Sequence, residues 1–173
     1  AAIAHPEVKI LNCSLNTSHR YIRTYYARMY EAKFLMGAIA GAMAENGQLA
    51  YIADYPIFGT IANINAFALG AKMVNPRAQI YLEWSTLKDV DLGIAMDNVI
   101  KKGVTVVSGR DMVIPEDASR YFGLYRMENG MPHNLAMPLW HWGKFYEQLI
   151  RTIMDGTWKY DDNKDETKAI TYW

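Results

Sequence analysis

Residues 48–84 read QLAYIADYPIFGTIANINAFALGAKMVNPRAQIYLEW, and this stretch decides the fold. Gln48 to Ala53 is a short apolar run rich in strand formers, which reads as a buried strand. Gly59 to Val74 reads as a helix, ended by Asn75-Pro76, because proline disfavours helical backbone in the residue before it. Gln79 to Trp84 is a second strand. A strand, a helix and a strand in this order make a βαβ unit and place both strands parallel in one sheet.

Downstream the alternation continues. A helix is expected from Asp89 to Lys102, ended by Gly103, followed by a strand from Val104 to Ser108 that is apolar enough for burial on both faces. Further extended pieces are expected at Tyr121–Tyr125 and Leu135–Leu139. Gly143 to Met154 reads as a helix with Phe145, Leu149 and Ile153 at four-residue spacing, closed by Asp155-Gly156. The charged stretch Lys159 to Lys168 is the nearest thing to a linker. Upstream, Glu31 to Glu45 is a helix rich in Ala, Met and Leu, with Asn46-Gly47 as its stop. Gly37 and Gly41 fall four apart in it, so a second backbone can pack close. His19 to Tyr30 is polar and aromatic, and Val8 to Cys13 is a strand after the Pro6 break. The expected class is α/β with a parallel sheet.

Bulk properties narrow the function. About half of the 173 residues are apolar, and eighteen basic residues balance eighteen acidic ones. A nucleic-acid binder needs a basic face, and no Lys/Arg cluster supplies one, so no nucleic-acid partner is expected. Cys13 is the single cysteine, which excludes an internal disulfide framework and a multi-thiolate metal site. His5, His19, His133 and His141 show no i, i+4 pairing, so no metal and no cofactor are expected. No stretch approaches the roughly 20 apolar residues of a membrane span. The opening at Ala1 and the β-prone finish at Trp173 lead to the expectation of an internal piece of a longer mature protein.

Two segments carry a family resemblance. Tyr30-Glu31-Ala32-Lys33-Phe34-Leu35-Met36-Gly37-Ala38-Ile39-Ala40-Gly41 and Ile64-Asn65-Ala66-Phe67-Ala68-Leu69-Gly70-Ala71-Lys72-Met73-Val74-Asn75-Pro76 resemble helices of the basic membrane protein (BMP) family, the purine nucleoside receptor-like substrate-binding lipoproteins of ABC transporters. The late Asp155-Gly156-Thr157 agrees with this order, and the resemblance runs from about Val8 to Trp158. It implies a type I periplasmic-binding-protein fold of two Rossmann-like lobes, with the chain holding mainly the second. Residues 1–28 would be the tail of lobe one and 29–135 lobe two. Residues 136–158 would be a crossover and a helix returning to lobe one, and 159–173 a truncated hinge crossing. The resemblance also implies a monomer that captures a small solute between the lobes and hands it to an ABC permease in the membrane. Its setting would be extracytoplasmic, at the cell surface or in the periplasm, with a lipid anchor on a missing N-terminal segment.

In open α/β sheets, ligands sit at the carboxyl ends of the strands. That rule selects Asp54 and Tyr55 after the first strand of the opening stretch, Trp84 after the second, and Ser108, Gly109, Arg110 and Asp111 after the third. It further selects Tyr125, the crossover residues Trp140 and His141, and, at the expected lobe boundary, Arg28 and Tyr30. Trp84, Tyr125 and Trp140 would offer aromatic faces to a planar ligand. Arg110 and Asp111 would supply a polar grip, with Gly109 admitting the backbone. The sequence also departs from the nucleoside-binding pattern. Leu87 stands where the family has an aromatic residue, Gly123-Leu124-Tyr125-Arg126 where it has an acidic one, and Trp140-His141 where it has a lysine. The ligand is therefore left as nucleoside-like or another aromatic or polar solute. A ligand-sensing regulatory domain of the same fold is the alternative. An enzyme is not expected, because no nucleophile elbow, dinucleotide fingerprint or phosphate loop is present.

Overall fold

The computed structural model describes residues 3–5, 7–13, 22–86, 90–111, 120–157 and 170–172, without the side chains of Arg23, Phe58 and residues 170–172. Four of the expected features lie outside the described residues: the helix start at Asp89, Leu87, the residues His19 to Tyr21, and the segment Lys159 to Lys168. The described residues fall into two compact units. One is continuous, residues 29–139, and the other is built from residues 1–28 together with 140–173.

The continuous unit is built on a five-stranded sheet. Its strands are β3 (Gln48–Ala53), β4 (Gln79–Trp84), β5 (Val106–Ser108), β6 (Leu124–Glu128) and β7 (Met131–Ala136), and β1 and β2 belong to the other unit. The order across the sheet is β4-β3-β5-β6-β7. The three strands β4, β3 and β5 are parallel, with Leu49 opposite both Ile80 and Val106. The remaining pairs, β5 with β6 and β6 with β7, are antiparallel, so the sheet is mixed where a parallel one was expected. The β6–β7 pair is made by a two-residue turn. Asn129 and Gly130 both have positive φ, at 52° and 77°, and Glu128 pairs with Met131 across them. Asn-Gly with two positive φ angles is the type I′ turn that matches strand twist in a hairpin. It moves β6 and β7 away from the positions expected at Tyr121–Tyr125 and Leu135–Leu139. Pro132 is tolerated in β7 because that strand lies at the sheet edge, where a missing N–H leaves no ladder partner wanting.

Alternation along β3 divides the core in two. Leu49, Tyr51 and Ala53 face the layer made by α1 (Met29–Met43) and α2 (Phe58–Val74), together with Met36, Ala40, Phe67, Ala71, Val106 and Leu124. Ala50 and Ile52 face α3 (Leu92–Ile100), with Ala95, Met96, Val99, Val107 and Tyr125. Successive strand side chains point to opposite faces, so six consecutive residues serve both layers. A helix layer on each face of the sheet is the doubly wound arrangement. Helix α3 starts at Asp91, whose side chain accepts a hydrogen bond from the Ile94 N–H at 2.9 Å, satisfying one of the open donors of the first turn.

Helices α1 and α2 touch backbone to backbone. A Cβ on Gly37 would stand 2.0 Å from the Phe67 carbonyl oxygen, and one on Gly70 would stand 1.9 Å from that of Phe34. Gly41 meets Ala71 in the same way. The close approach expected from the Gly37/Gly41 spacing is therefore made against α2.

In the second unit β1 (Ile10–Cys13), β2 (Ile22–Tyr26) and β8 (Ile170–Tyr172) form a parallel sheet in the order β1-β2-β8. Strand β2 lies within the stretch read only as polar and aromatic. Its Tyr25 stacks on Phe145 of α4 (Trp142–Met154) with ring centroids 4.7 Å apart, and the Tyr25 and Tyr146 hydroxyls are 2.8 Å apart. Offset and edge-on aromatic pairs of this kind add packing energy beyond the area they bury. No helix among the described residues is long and apolar enough to cross a membrane.

Candidate functional site

The parallel strands of the continuous unit point their carboxyl ends at one edge. Three loops leave it: Asp54–Tyr55 from β3, Ser85–Thr86 from β4, and Gly109–Asp111 from β5. Hydrogen bonds tie the first two together. The Ser85 hydroxyl donates to the Asp54 carboxylate at 2.8 Å, the Ser85 N–H donates to the Ala53 carbonyl at 2.8 Å, and the Thr86 hydroxyl donates to the Asp54 carbonyl. Asp54 and Tyr55 are exposed, while Trp84 is half-buried against the α1/α2-side core.

The third loop is held by a residue that the reading of strand ends missed. Lys33 of α1 reaches the edge with its side chain fully buried, donating to the Ser108 hydroxyl at 3.3 Å and to the Asp111 carboxylate. Its ammonium also lies 5.0 Å from the centroid of the Tyr51 ring, a cation–π distance. Burial pushes the Lys33 ammonium below the usual lysine range, and the carboxylates of Asp111 and Asp54 oppose that shift. Burial also pushes the Tyr51 hydroxyl well above the usual phenol range, helped by the same two carboxylates. The two shifts are consistent with one cluster, in which a buried cation and two acids share a poorly solvated edge. Asp111 keeps 23% of its side chain exposed, so its carboxylate reaches both Lys33 and solvent. A signal for Lys33 was present in the sequence. Met29, Lys33, Met36, Gly37 and Ala40 form the buried stripe of α1, and a lysine inside such a stripe needs a buried partner.

The other expected residues are placed unevenly. Ser108 and Gly109 are buried at the end of β5, and a Cβ on Gly109 would come 2.9 Å from the Tyr125 ring. Tyr125 is 0% exposed, lies in the α3-side core, and donates its hydroxyl to the Met96 sulfur at 3.0 Å. It therefore offers no aromatic face to a ligand. Its β6 register turns the ring inward, opposite Val107. Arg110 is half-buried and forms a bridge with Phe122. Tyr30 is partly exposed on the first turn of α1. The structure thus gathers Asp54, Tyr55, Trp84, Ser108, Gly109, Arg110 and Asp111 at one edge and leaves Tyr125 beneath it. Arg28, Trp140 and His141 belong to the second unit. There Trp140 stacks on Trp142 at 5.1 Å, and His141 is exposed at the start of α4.

A doubly wound sheet with a polar cluster at its carboxyl edge is the arrangement used to hold small ligands. The fold as a whole resembles that of a solute-binding protein of an ABC transporter system from Conexibacter woesei, with a TM-score of 0.57 at 13% identity over 99% of this chain and 59% of that one. The profile of the Bmp family, described as ABC transporter substrate-binding protein PnrA-like, matches residues 11–114, and the chain belongs to that family. A putative ABC transporter glucose-binding protein of Haloferax volcanii is 29% identical over 79% of this chain and 38% of its own length. A purine-binding protein of Brucella abortus is 26% identical over 89% of this chain and 47% of its own length. The chain thus spans less than half the length of these curated relatives.

Proposed function

We propose that the protein takes part in capturing a small solute outside the cytoplasm for an ABC permease, with the carboxyl edge of β3, β4 and β5 as its share of the ligand grip. The observation that carries this reading is the Lys33–Asp111–Ser108 cluster at that edge, adjoined by Asp54. Hydrogen-bonding groups preset by buried partners hold a polar ligand without the cost of ordering them on binding. Asp54, Asp111 and Arg110 supply the polar contacts, with Trp84 and Tyr55 as flanking aromatic surface. The names of the two relatives differ in ligand chemistry, ring hydroxyls for the glucose-binding one and ring nitrogens for the purine-binding one. A nucleoside-like solute carries both groups, and another aromatic or polar solute remains the wider class. Residues 29–135 act as the gripping lobe in this reading, with 1–28 and 136–158 belonging to the other lobe and 159–173 to a hinge crossing. The working protein is a monomer held near its permease by a lipid anchor.

Thermal unfolding of the full chain with nucleosides, free bases, sugars and amino acids tests the reading. Ligand at about 100 times its Kd stabilises the folded state by about 2.7 kcal/mol. Stabilisation by a sugar or nucleoside, lost in Asp111→Ala, is expected. Silence across the whole panel would sink it.

A further inference from the structure

The edge sets an acid against a base. Asp111 is the acid and Lys33 the base in direct contact with it, while the Asp54 carboxylate acts on Lys33 from farther off and is held by Ser85. Lys33 is not a surface lysine that happens to lean inward. Its side chain is fully buried, the Ser108 hydroxyl and the Asp111 carboxylate both receive its protons, and the Tyr51 ring lies beside it. Tyr51 is itself fixed, edge-on to Phe67 with centroids 5.4 Å apart. An ammonium so placed cannot swing out to water, so it is a permanent part of the field that a ligand meets at Asp111.

We infer that Lys33 is a specificity-determining residue whose fixed ammonium cancels the Asp111 carboxylate, so that the Asp111 position accepts neutral hydroxyl-bearing groups and disfavours cationic ones. The inference rests on the carboxyl edge being the ligand grip, as proposed above. Without the lysine, a half-buried carboxylate in a poorly solvated place attracts any ammonium-bearing solute, and strongly. With it, the carboxylate still accepts a hydrogen bond from a hydroxyl but offers no net charge to a cation. Rejection of a solute by an unfavourable field is as much a part of specificity as attraction of the right one.

The experiment compares solutes that differ by one charge: D-glucose against D-glucosamine, and adenosine against its 5′-amino analogue. Each is titrated calorimetrically into the wild-type chain, into Lys33→Met, and into the double variant Lys33→Met/Asp111→Asn. Circular dichroism and thermal unfolding accompany each titration, and the double variant guards against a single variant that fails to fold. The wild type is expected to bind the neutral member of a pair. Lys33→Met is expected to shift the cation-to-neutral affinity ratio by about tenfold or more towards the cation, and the double variant to return that ratio to the wild-type side. An unchanged ratio in a folded Lys33→Met, or a double variant that keeps the cation preference, overturns the inference while leaving the ligand grip standing. Absence of binding of either neutral solute to the wild type overturns the inference, and silence across the whole panel overturns the ligand grip as well.

Discussion

Lys33 shows what a single residue can conceal in a sequence. It sits at the second buried position of an apolar helix, between Met29 and Met36, where its neighbours advertise packing. The reading of strand ends found Ser108 and Asp111, which lie beyond an apolar strand as ligand residues commonly do, but not the cation that joins them. Tyr125 is the opposite case. A tyrosine near a strand end looked like a ligand plate, yet the register of β6 turns it into the α3-side core. One residue of register decides which face a strand side chain takes, and no local pattern fixed it here. The Lys33 environment has a consequence for pH. Burial lowers its folded-state proton affinity below the unfolded value, so unfolding takes up a proton in the window just below the ordinary lysine pKa. Stability from this group therefore rises with pH there. Urea unfolding on the approach to the ordinary lysine pKa of about 10.4 should show the wild type gaining on Lys33→Met as pH rises. Above about pH 10 the stability of both proteins falls with pH, because Tyr51 and Tyr125 are held protonated by burial and the unfolded chain loses those protons first.

At the scale of elements, the βαβ rhythm of β3, α2 and β4 was plain from periodicity and from Asn75-Pro76, and the observed bounds differ from the reading by a residue. Two elements were not read correctly. Strand β2 mixes arginine, threonine and tyrosine, so its apolar signal is weak although Thr24 and Tyr25 are buried. The β6–β7 hairpin was displaced because Asn129-Gly130, the strongest local hairpin signal in the chain, went unused. The α1–α2 contact, by contrast, was visible in the Gly37/Gly41 spacing. Gly37→Ala would force a methyl to within 2.0 Å of the Phe67 carbonyl oxygen. Since neither backbone can yield without shifting the whole helix, a loss of about 3 kcal/mol is expected, larger than alanine's helical advantage of about 1 kcal/mol. A chemical denaturation midpoint unchanged from wild type would contradict the packing described.

For the whole molecule, the α/β class and the family could be read from the sequence, because two long helices and their terminators carry both. The division of the expected site between two units was legible only through the family resemblance, since it depends on which strands pair across long stretches of chain. Each sheet face of the continuous unit is covered by helices from within residues 29–139. That segment, expressed alone, is expected to fold cooperatively, with a single sharp thermal transition by circular dichroism. A broad, non-cooperative melt would mean that residues outside it complete its core.

The other unit has a different history during synthesis. Its sheet sets Thr24 beside Ile170, so the whole of residues 29–139 leaves the ribosome between the two partners. Strand β2 must wait, with one long edge open, while the intervening domain is made and folds. Closing that sheet carries the entropy of a very long loop. Until β8 arrives, that edge of β2 is open to pairing with the wrong strand.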